Sequence, residues 1–220
     1  YSLLKGASNI DGMVRRAAQL EMPAMALTDD GNMFGALSFY HACRSAEVKP
    51  IIGCDFFVAP SSRTRKSGLD GASRNGRVVL LAKNREGYKN LIRLSSIGYL
   101  EGFYYRPRID HEVMERYNDG LLLLTGSISG EIPRLLLANR RAEAKELLEW
   151  YLNVYGADDV YLELTNHGIP EQSVLTEMLA DLGTETGVPL VAANDTHYIT
   201  QDDAVAQDVL LCIGSNRKKA

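Results

Sequence analysis

Four short apolar runs in this 220-residue chain end in groups able to do chemistry. Ala24–Leu27 leads into Thr28-Asp29-Asp30, and Ile51–Cys54 leads into Asp55. Leu121–Leu124 leads into Thr125-Gly126-Ser127, and Leu190–Ala193 into Asn194-Asp195-Thr196-His197. Barrel-type α/β folds carry their chemistry on the loops that leave the strands. Asp29, Asp30, Asp55, Ser127, Asp195 and His197 therefore read as walls of one site, and the cations Lys5 and Arg77 are candidates to share it. Carboxylates clustered with an imidazole suit a hard or borderline divalent metal. The same residue types also suit helix capping by Asp29 and Asp30 and a turn at Asp195. A Ser-His-Asp triad through Ser127 and His197 is the weaker reading, because nothing like a nucleophile elbow surrounds Ser127.

The elements that must position these residues alternate along the chain. Ile10–Leu20 carries an apolar helical stripe behind the capping residue Asn9, and a second helix is expected from about Phe34 to Ser45. Strands are expected at Ala24–Leu27, Lys49–Ala59 and Arg77–Ala82, then a helix over Glu86–Tyr99. The four-Leu run Leu121–Leu124 is too short for a helix and reads as a buried parallel strand. Ala142–Tyr155 (helix), Val160–Leu164 (strand), Glu171–Thr186 (helix), Pro189–Ala193 (strand) and a closing helix from about Asp202 to Ile213 complete the chain. About six strands, each followed by a helix, argue for parallel strands with helices outside, in a barrel or partial barrel. No GxGxxG follows the first strand, which disfavours a doubly wound dinucleotide fold. No internal domain boundary is apparent; the chain is expected to be one domain over residues 1–220.

Composition narrows the function classes. The apolar share of 45% with 24% charged residues is that of an ordinary globular protein. No apolar run is long enough to span a bilayer, and the first residues lack the layout of a signal peptide. The absence of an initiating Met suggests a fragment. Cys43, Cys54 and Cys212 have no CxxC spacing, so neither a disulfide framework nor a thiolate zinc site is implied, and Cys43 and Cys212 read as small core residues in a reducing cytosol. A net charge of −4 is the wrong sign for gripping nucleic acid over a wide face.

Other candidates are weaker. His41 and His111 read as surface residues on a helix and at a helix start, and His167 follows a strand in Leu164-Thr165-Asn166-His167-Gly168. The stretch Ser61–Arg77, with Arg63, Arg65, Lys66, Arg74 and Arg77, reads as a solvated flexible loop rather than a nucleic-acid contact. Phe103-Tyr104-Tyr105-Arg106-Pro107-Arg108 interleaves aromatics with Arg. It suits either stacking on a single strand or an ordered loop pinned by Pro107.

Several segments resemble a known family: Tyr1-Ser2-Leu3-Leu4, Met22-Pro23-Ala24-Met25-Ala26-Leu27-Thr28-Asp29, Lys49-Pro50-Ile51-Ile52-Gly53-Cys54-Asp55, Tyr99-Leu100-Glu101-Gly102-Phe103-Tyr104-Tyr105, and Asn194-Asp195-Thr196-His197-Tyr198. With His167-Gly168-Ile169-Pro170-Glu171-Gln172 and Asp208-Val209-Leu210-Leu211-Cys212-Ile213, they resemble, in order, the PHP (polymerase and histidinol phosphatase) domain of bacterial DNA polymerase III alpha subunits. The resemblance implies a distorted seven-stranded βα barrel of the α/β class, with most of its first strand and an upstream His-x-His motif lying ahead of Tyr1. It implies a cleft at the strand C-terminal ends that holds zinc, manganese or iron in active members, for phosphoester hydrolysis or 3′–5′ proofreading.

Against that pattern the chain departs at several positions. Lys5 stands where metal-binding members carry Asp, Asp30 and Arg77 stand where they carry His, Asp55 replaces Glu, and Ser127 replaces Cys. Asp29, Asp195 and His197 match unchanged. Cations beside divalent metals repel them, whereas beside carboxylates that have lost their metals they neutralise the charge. The expectation is therefore a vestigial site with no catalytic residue and no cofactor, in which Lys5 and Arg77 pair with some of Asp29, Asp30, Asp55 and Asp195. The resemblance further implies a cytoplasmic scaffold in DNA replication, belonging to a DNA-directed DNA polymerase (a nucleotidyltransferase) but itself inactive. Its expected partners are the remainder of the alpha subunit, the proofreading exonuclease subunit, and DNA through the full enzyme, with no membrane. The rival reading is a metal-dependent phosphoesterase or 3′–5′ exonuclease.

Overall fold

The structure is a computed structural model that describes Ser2 and residues 4–66 and 75–218. Tyr1, Leu3 and Arg74 of the segments discussed above lie outside the described residues. In chain order the elements are α1 (Ile10–Gln19), β1 (Ala24–Asp30), α2 (Ala36–Ser45), β2 (Lys49–Val58), β3 (Gly76–Ala82), α3 (Arg85–Leu100), β4 (Arg108–Ile109), α4 (His111–Arg116), β5 (Leu121–Leu124), α5 (Glu131–Leu137), α6 (Arg141–Tyr155), β6 (Val160–Leu164), α7 (Pro170–Thr186), β7 (Leu190–Ala192) and α8 (Ala204–Ser215). They divide between two compact units.

The first unit comprises Tyr1–Asp30, Phe34–Ile52 and Asp195–Ala220. Asn9 caps α1 by accepting the Gly12 N–H at 2.7 Å, the role its type and position suit. Val14 and Ala17, three residues apart on one helix face, turn inward. Val14, Phe39, Cys43 and Val48 form a buried cluster, with Ile10, Met25, Leu27 and Ile52 packed on it. β1 lies beside β2.

The second unit comprises Gly31–Met33 and Gly53–Asn194. Its half of β2 pairs antiparallel with β3, and β3 pairs antiparallel with β5. β5, β6 and β7 then run parallel, and β4 lies parallel on β2. Leu121 and Leu123 are buried, while Leu122 and Leu124 on the other face are half-buried, the period-two pattern of a strand.

Three expectations are corrected. The strands are not all parallel, and among the described residues no helix lies between β2 and β3. An antiparallel neighbour needs no crossover helix, and β3 therefore runs against both of its partners. β1 does not stop at Leu27 but continues through Asp29 and Asp30, so neither residue caps the next helix; α2 follows Gly35 without a side-chain cap. The short helix α5 and the two-residue β4 were not expected as elements of their own, while α4 begins at His111, where a helix start was expected. α4 is held by Asp110, whose carboxylate accepts the Val113 N–H at 3.3 Å.

A polar brace ties α4, α5 and α6 together. Glu131 Oε2 accepts from the Tyr151 hydroxyl at 2.7 Å and lies 3.1 Å from His111 Nε2, and the His111 ring sits on Trp150 at 4.5 Å between centroids. Burial opposes protonation of His111, but its hydrogen bond to Glu131 and the charges of Glu131 and Asp110 outweigh that, so its pKa is raised from 6.5. A histidine raised in the folded state adds stability that is complete below its unfolded pKa and is lost as pH rises through the folded value. The stability gap between the native chain and His111→Gln is therefore expected to be complete below about pH 6 and to shrink as pH rises above His111's ordinary value of 6.5. Urea midpoints on either side of that value test it, and a gap independent of pH contradicts it.

Candidate functional site

The eight singled-out positions fall in both units: Lys5, Asp29, Asp30, Asp195 and His197 in the first, Asp55, Arg77 and Ser127 in the second. Each group has its own geometry.

In the first unit, strand alternation sends Asp29 and Asp30 to opposite sides of β1. Asp29 is buried and accepts from the Ser2 hydroxyl at 2.8 Å, and the same hydroxyl accepts the Asp30 N–H at 3.1 Å. Asp30 forms an ion pair with Lys5. The backbone that carries Lys5 is fixed from α8: buried Gln207 donates to the Lys5 carbonyl and accepts the Ala7 N–H at 3.0 Å. The His197 carbonyl accepts from the Ala7 and Ser8 N–H groups at 2.8 and 3.2 Å. Asp195 Oδ1 sits 3.1 Å from His197 Nε2. That hydrogen bond raises the His197 pKa; burial and the Lys5 charge act against it, and the charges of Asp195 and Asp30 with it.

In the second unit the strand register explains the geometry. Arg77 lies directly opposite Phe57, and Asp55, two residues back along β2, lies on the same face. A long side chain from Arg77 thus reaches both. Its Nε donates to Asp55 Oδ1 at 3.0 Å, its Nη2 pairs with Asp55 Oδ2, and its guanidinium lies 4.6 Å from the centre of the Phe57 ring. The pair is bidentate, and the side chains are only 19% and 22% exposed, which strengthens it relative to a surface pair. Asp55 is thus within β2, not at the strand's end. Ser127 lies in the turn between β5 and α5, where its carbonyl accepts the Gly130 N–H at 2.7 Å.

Divalent metals need the carboxylate lone pairs that these cations occupy. Asp30 in the first unit is held by Lys5, and Asp55 in the second is held bidentately by Arg77. Among the described residues, no three His, Cys, Asp or Glu side chains gather as a metal-ligating group. Ser2, Phe57 and Gln207 support the candidate residues but were not singled out from the sequence. Phe57 carried a usable signal, the two-residue spacing from Asp55 on a strand. Ser2 and Gln207 act through contacts 27 and 202 residues distant, for which no local signal exists.

The remaining candidates separate clearly. His167 is exposed, with its N–H donating to Gln172 Oε1 at 2.7 Å and its ring beside the Gln172 amide. The basic stretch is not uniformly a solvated loop: Arg63 is buried, while Arg65 and Lys66 are exposed. Its guanidinium bonds the buried Asp110 and reaches Glu101 and Glu112. Arg108 is also buried, donating to the carbonyls of Gly102, Arg63 and Arg65 at 2.9–3.0 Å. Of the three cysteines, Cys43 and Cys54 are buried and Cys212 is half-buried, a departure from the core role expected of it. No helix among the described residues is long and apolar enough to cross a membrane.

Comparison with known proteins places these observations. The DNA polymerase III subunit alpha of Borreliella burgdorferi is 48% identical over 220 residues, covering 100% of this chain and 19% of that protein. That of Treponema pallidum is 44% identical, with the same coverage, and that of Thermus aquaticus is 42% identical, covering 98% of this chain and 18% of the relative. The chain therefore spans about a fifth of the length of the curated relatives it matches. Among solved structures, a putative metal-dependent phosphoesterase from Bifidobacterium adolescentis matches with a TM-score of 0.53 at 12% identity, over 88% of this chain and 84% of that one. An amidohydrolase from Chromobacterium violaceum matches with a TM-score of 0.51 at 12% identity, over 94% and 93%. At such identity the likeness shows the fold alone, an α/β architecture of the distorted βα-barrel kind. The PHP domain family matches residues 1–167, three quarters of the chain, and the chain belongs to that family.

Proposed function

We propose that the chain works as one non-catalytic PHP domain, a scaffold and docking element in a DNA polymerase III alpha subunit of the cytoplasmic replication machinery. The observation that carries this reading is the pair of ion pairs, Lys5–Asp30 and Arg77–Asp55. A carboxylate in a hydrolytic metal site must be free to hold the ion that activates water. Here each of these two carboxylates is neutralised by a covalently attached cation, so the fold keeps its framework without the reagent. The retained residues Asp29, Asp195 and His197 then serve structure, through the contacts of Asp29 with Ser2 and of Asp195 with His197. Strong identity to alpha subunits over the whole chain supports the remainder of such a subunit as its partner. The proofreading exonuclease subunit is the natural further partner, since a domain without its own metals supplies no hydrolysis. DNA is met through the full enzyme.

Two measurements test this. Dialysis against zinc, manganese or iron(II), followed by elemental analysis, is expected to leave well under one equivalent bound. A phosphodiester substrate is expected to remain uncleaved with each metal. One or more tightly held equivalents, with cleavage, would establish the phosphoesterase or 3′–5′ exonuclease reading instead. Arg77→Met supplies an independent check, because it removes the bidentate partner of the partly buried Asp55 carboxylate. It is expected to cost about 1–3 kcal/mol in denaturant unfolding, and no loss would show that Arg77 neutralises nothing.

A further inference from the structure

The Gly102–Pro107 turn in the second unit carries more exposed aromatic surface than the fold requires. Pro107 and Arg108 turn inward and are buried, but Phe103 and Tyr105 are 48% and 68% exposed. Tyr99, at the end of α3, stacks beside Phe103 with centroids 6.3 Å apart, and the Tyr104 and Tyr105 rings meet edge to face at 4.7 Å. Tyr105 has a φ of 60°, a left-handed conformation that is uncommon outside glycine and asparagine. The bond from the Tyr104 N–H to the Arg106 carbonyl, 3.1 Å, closes the turn around it. Strain of this kind persists only where the surroundings impose it. Here it holds an aromatic ring out in solvent, where it adds nothing to the core.

Cations belong to the same pair of turns, and the Arg108 guanidinium lies 5.2 Å from the Tyr104 ring. The buried Arg108 guanidinium bonds the Gly102 carbonyl on one side and the Arg63 and Arg65 carbonyls on the other, fixing the two turns together. Arg65 and Lys66 are exposed on the turn whose Arg63 and Arg65 carbonyls Arg108 holds, and Arg106 is exposed two residues before Arg108. Arg106 also sits 5.8 Å from the Phe57 ring. The acidic neighbour Glu101 is engaged by Arg63 at 2.7 Å. Rigid aromatic faces interleaved with cations match single-stranded nucleic acid, whose bases stack and whose phosphates need positive charge. A purely apolar protein surface would use the rings but not Arg65, Lys66 and Arg106.

We propose that Phe103 and Tyr105, with Arg106, Arg65 and Lys66, form a stacking platform for single-stranded DNA. This goes beyond the scaffold reading and does not depend on the ion pairs.

The test is a fluorescence-anisotropy titration of the 220-residue chain against a labelled oligo(dT) strand at low salt, with the same strand in a duplex for comparison. Saturable binding of the single strand, weaker for the duplex, is expected. Tyr105→Asn keeps the left-handed backbone and removes the ring; it is expected to weaken binding by about fivefold or more, the low end for one stacked base. Tyr105→Phe is expected to retain affinity. Arg106→Gln is expected to lower the slope of log K against log salt by about 0.7, the share of one phosphate contact on a single strand. No saturable binding, equal binding of duplex, or unchanged affinity in Tyr105→Asn overturns the proposal. So does self-association in sedimentation that Tyr105→Asn abolishes while DNA stays unbound, because the patch would then serve a second copy of the chain.

Discussion

Arg63→Met is expected to cost about 3–5 kcal/mol of stability. The reason is Asp110, whose side chain is only 3% exposed and whose ionic partner is Arg63, itself 10% exposed. Removing the guanidinium leaves a carboxylate out of water without its counter-charge, the costliest way to break a buried pair. Glu101 and Glu112 also touch Arg63, but they are 46% and 59% exposed and contribute little. Burial opposes the charge on Arg63, yet the three carboxylates together raise its pKa, so the charged pair is the stable form. At about 2–4 °C per kcal/mol for a chain of this size, the midpoint of thermal unfolding is expected to fall by about 6–20 °C. The control is Arg63→Met combined with Asp110→Asn. Asparagine removes the charge and keeps one of the two backbone bonds, since the Val113 N–H meets Oδ1 at 3.3 Å and the Arg63 N–H meets Oδ2 at 2.8 Å. With the orphaned charge gone, part of the loss is expected to return. A single variant that loses under about 1 kcal/mol, as an exposed pair would, defeats the argument.

The same residue shows where sequence reading stops. Arg63 lies in a stretch rich in Ser, Gly and basic residues, the composition of a solvated loop, and its partners lie 38 to 49 residues away. Nothing local marks it as buried. Helices α1, α3, α6 and α7 were legible because apolar spacing and caps are local, and so was the strand Val160–Leu164. The antiparallel sense of β3 against β2 was not, because strand sense is decided by the partner and not by the strand. β1 looked shorter than it is because the apolar run ends at Leu27. The extended chain continues because Ser2 and Lys5 supply partners for Asp29 and Asp30, and such partners leave no trace in hydropathy. The positions of the candidate site came from the ends of the apolar runs, and motif resemblance added which of them, Lys5 and Arg77 included, depart from the metal-binding pattern. Which carboxylate each cation meets follows from register: Arg77 opposite Phe57 and diagonal to Asp55.

Two alanine substitutions in one helix are expected to have opposite signs. On propensity alone, Gly→Ala inside α3 adds up to about 1 kcal/mol of stability, since glycine loses more backbone freedom on folding than alanine does. At Gly98 the added methyl would meet Pro107 and the Arg108 backbone at 3.5–3.6 Å, ordinary contact distance, so Gly98→Ala is expected to be neutral or stabilising. At Gly87 the methyl would lie 1.9 Å from the Gly120 carbonyl oxygen and 2.6 Å from its carbon. Those are backbone atoms that cannot rotate away. The same carbonyl accepts the Lys83 N–H at 2.9 Å, and Gly120 has a φ of 69°, so the turn cannot be reshaped freely by another residue. Overpacking of this kind costs about 1–3 kcal/mol, occasionally more. It exceeds the propensity gain, so Gly87→Ala is expected to lose about 2 kcal/mol net. The Asn84 side chain, which accepts the Gly87 N–H at 3.0 Å, would be displaced with the turn, fraying the start of α3. Paired urea titrations decide the matter. If both variants gain stability, helix propensity governs α3; if only Gly87→Ala loses it, the close approach of the Gly120 turn sets where that helix begins.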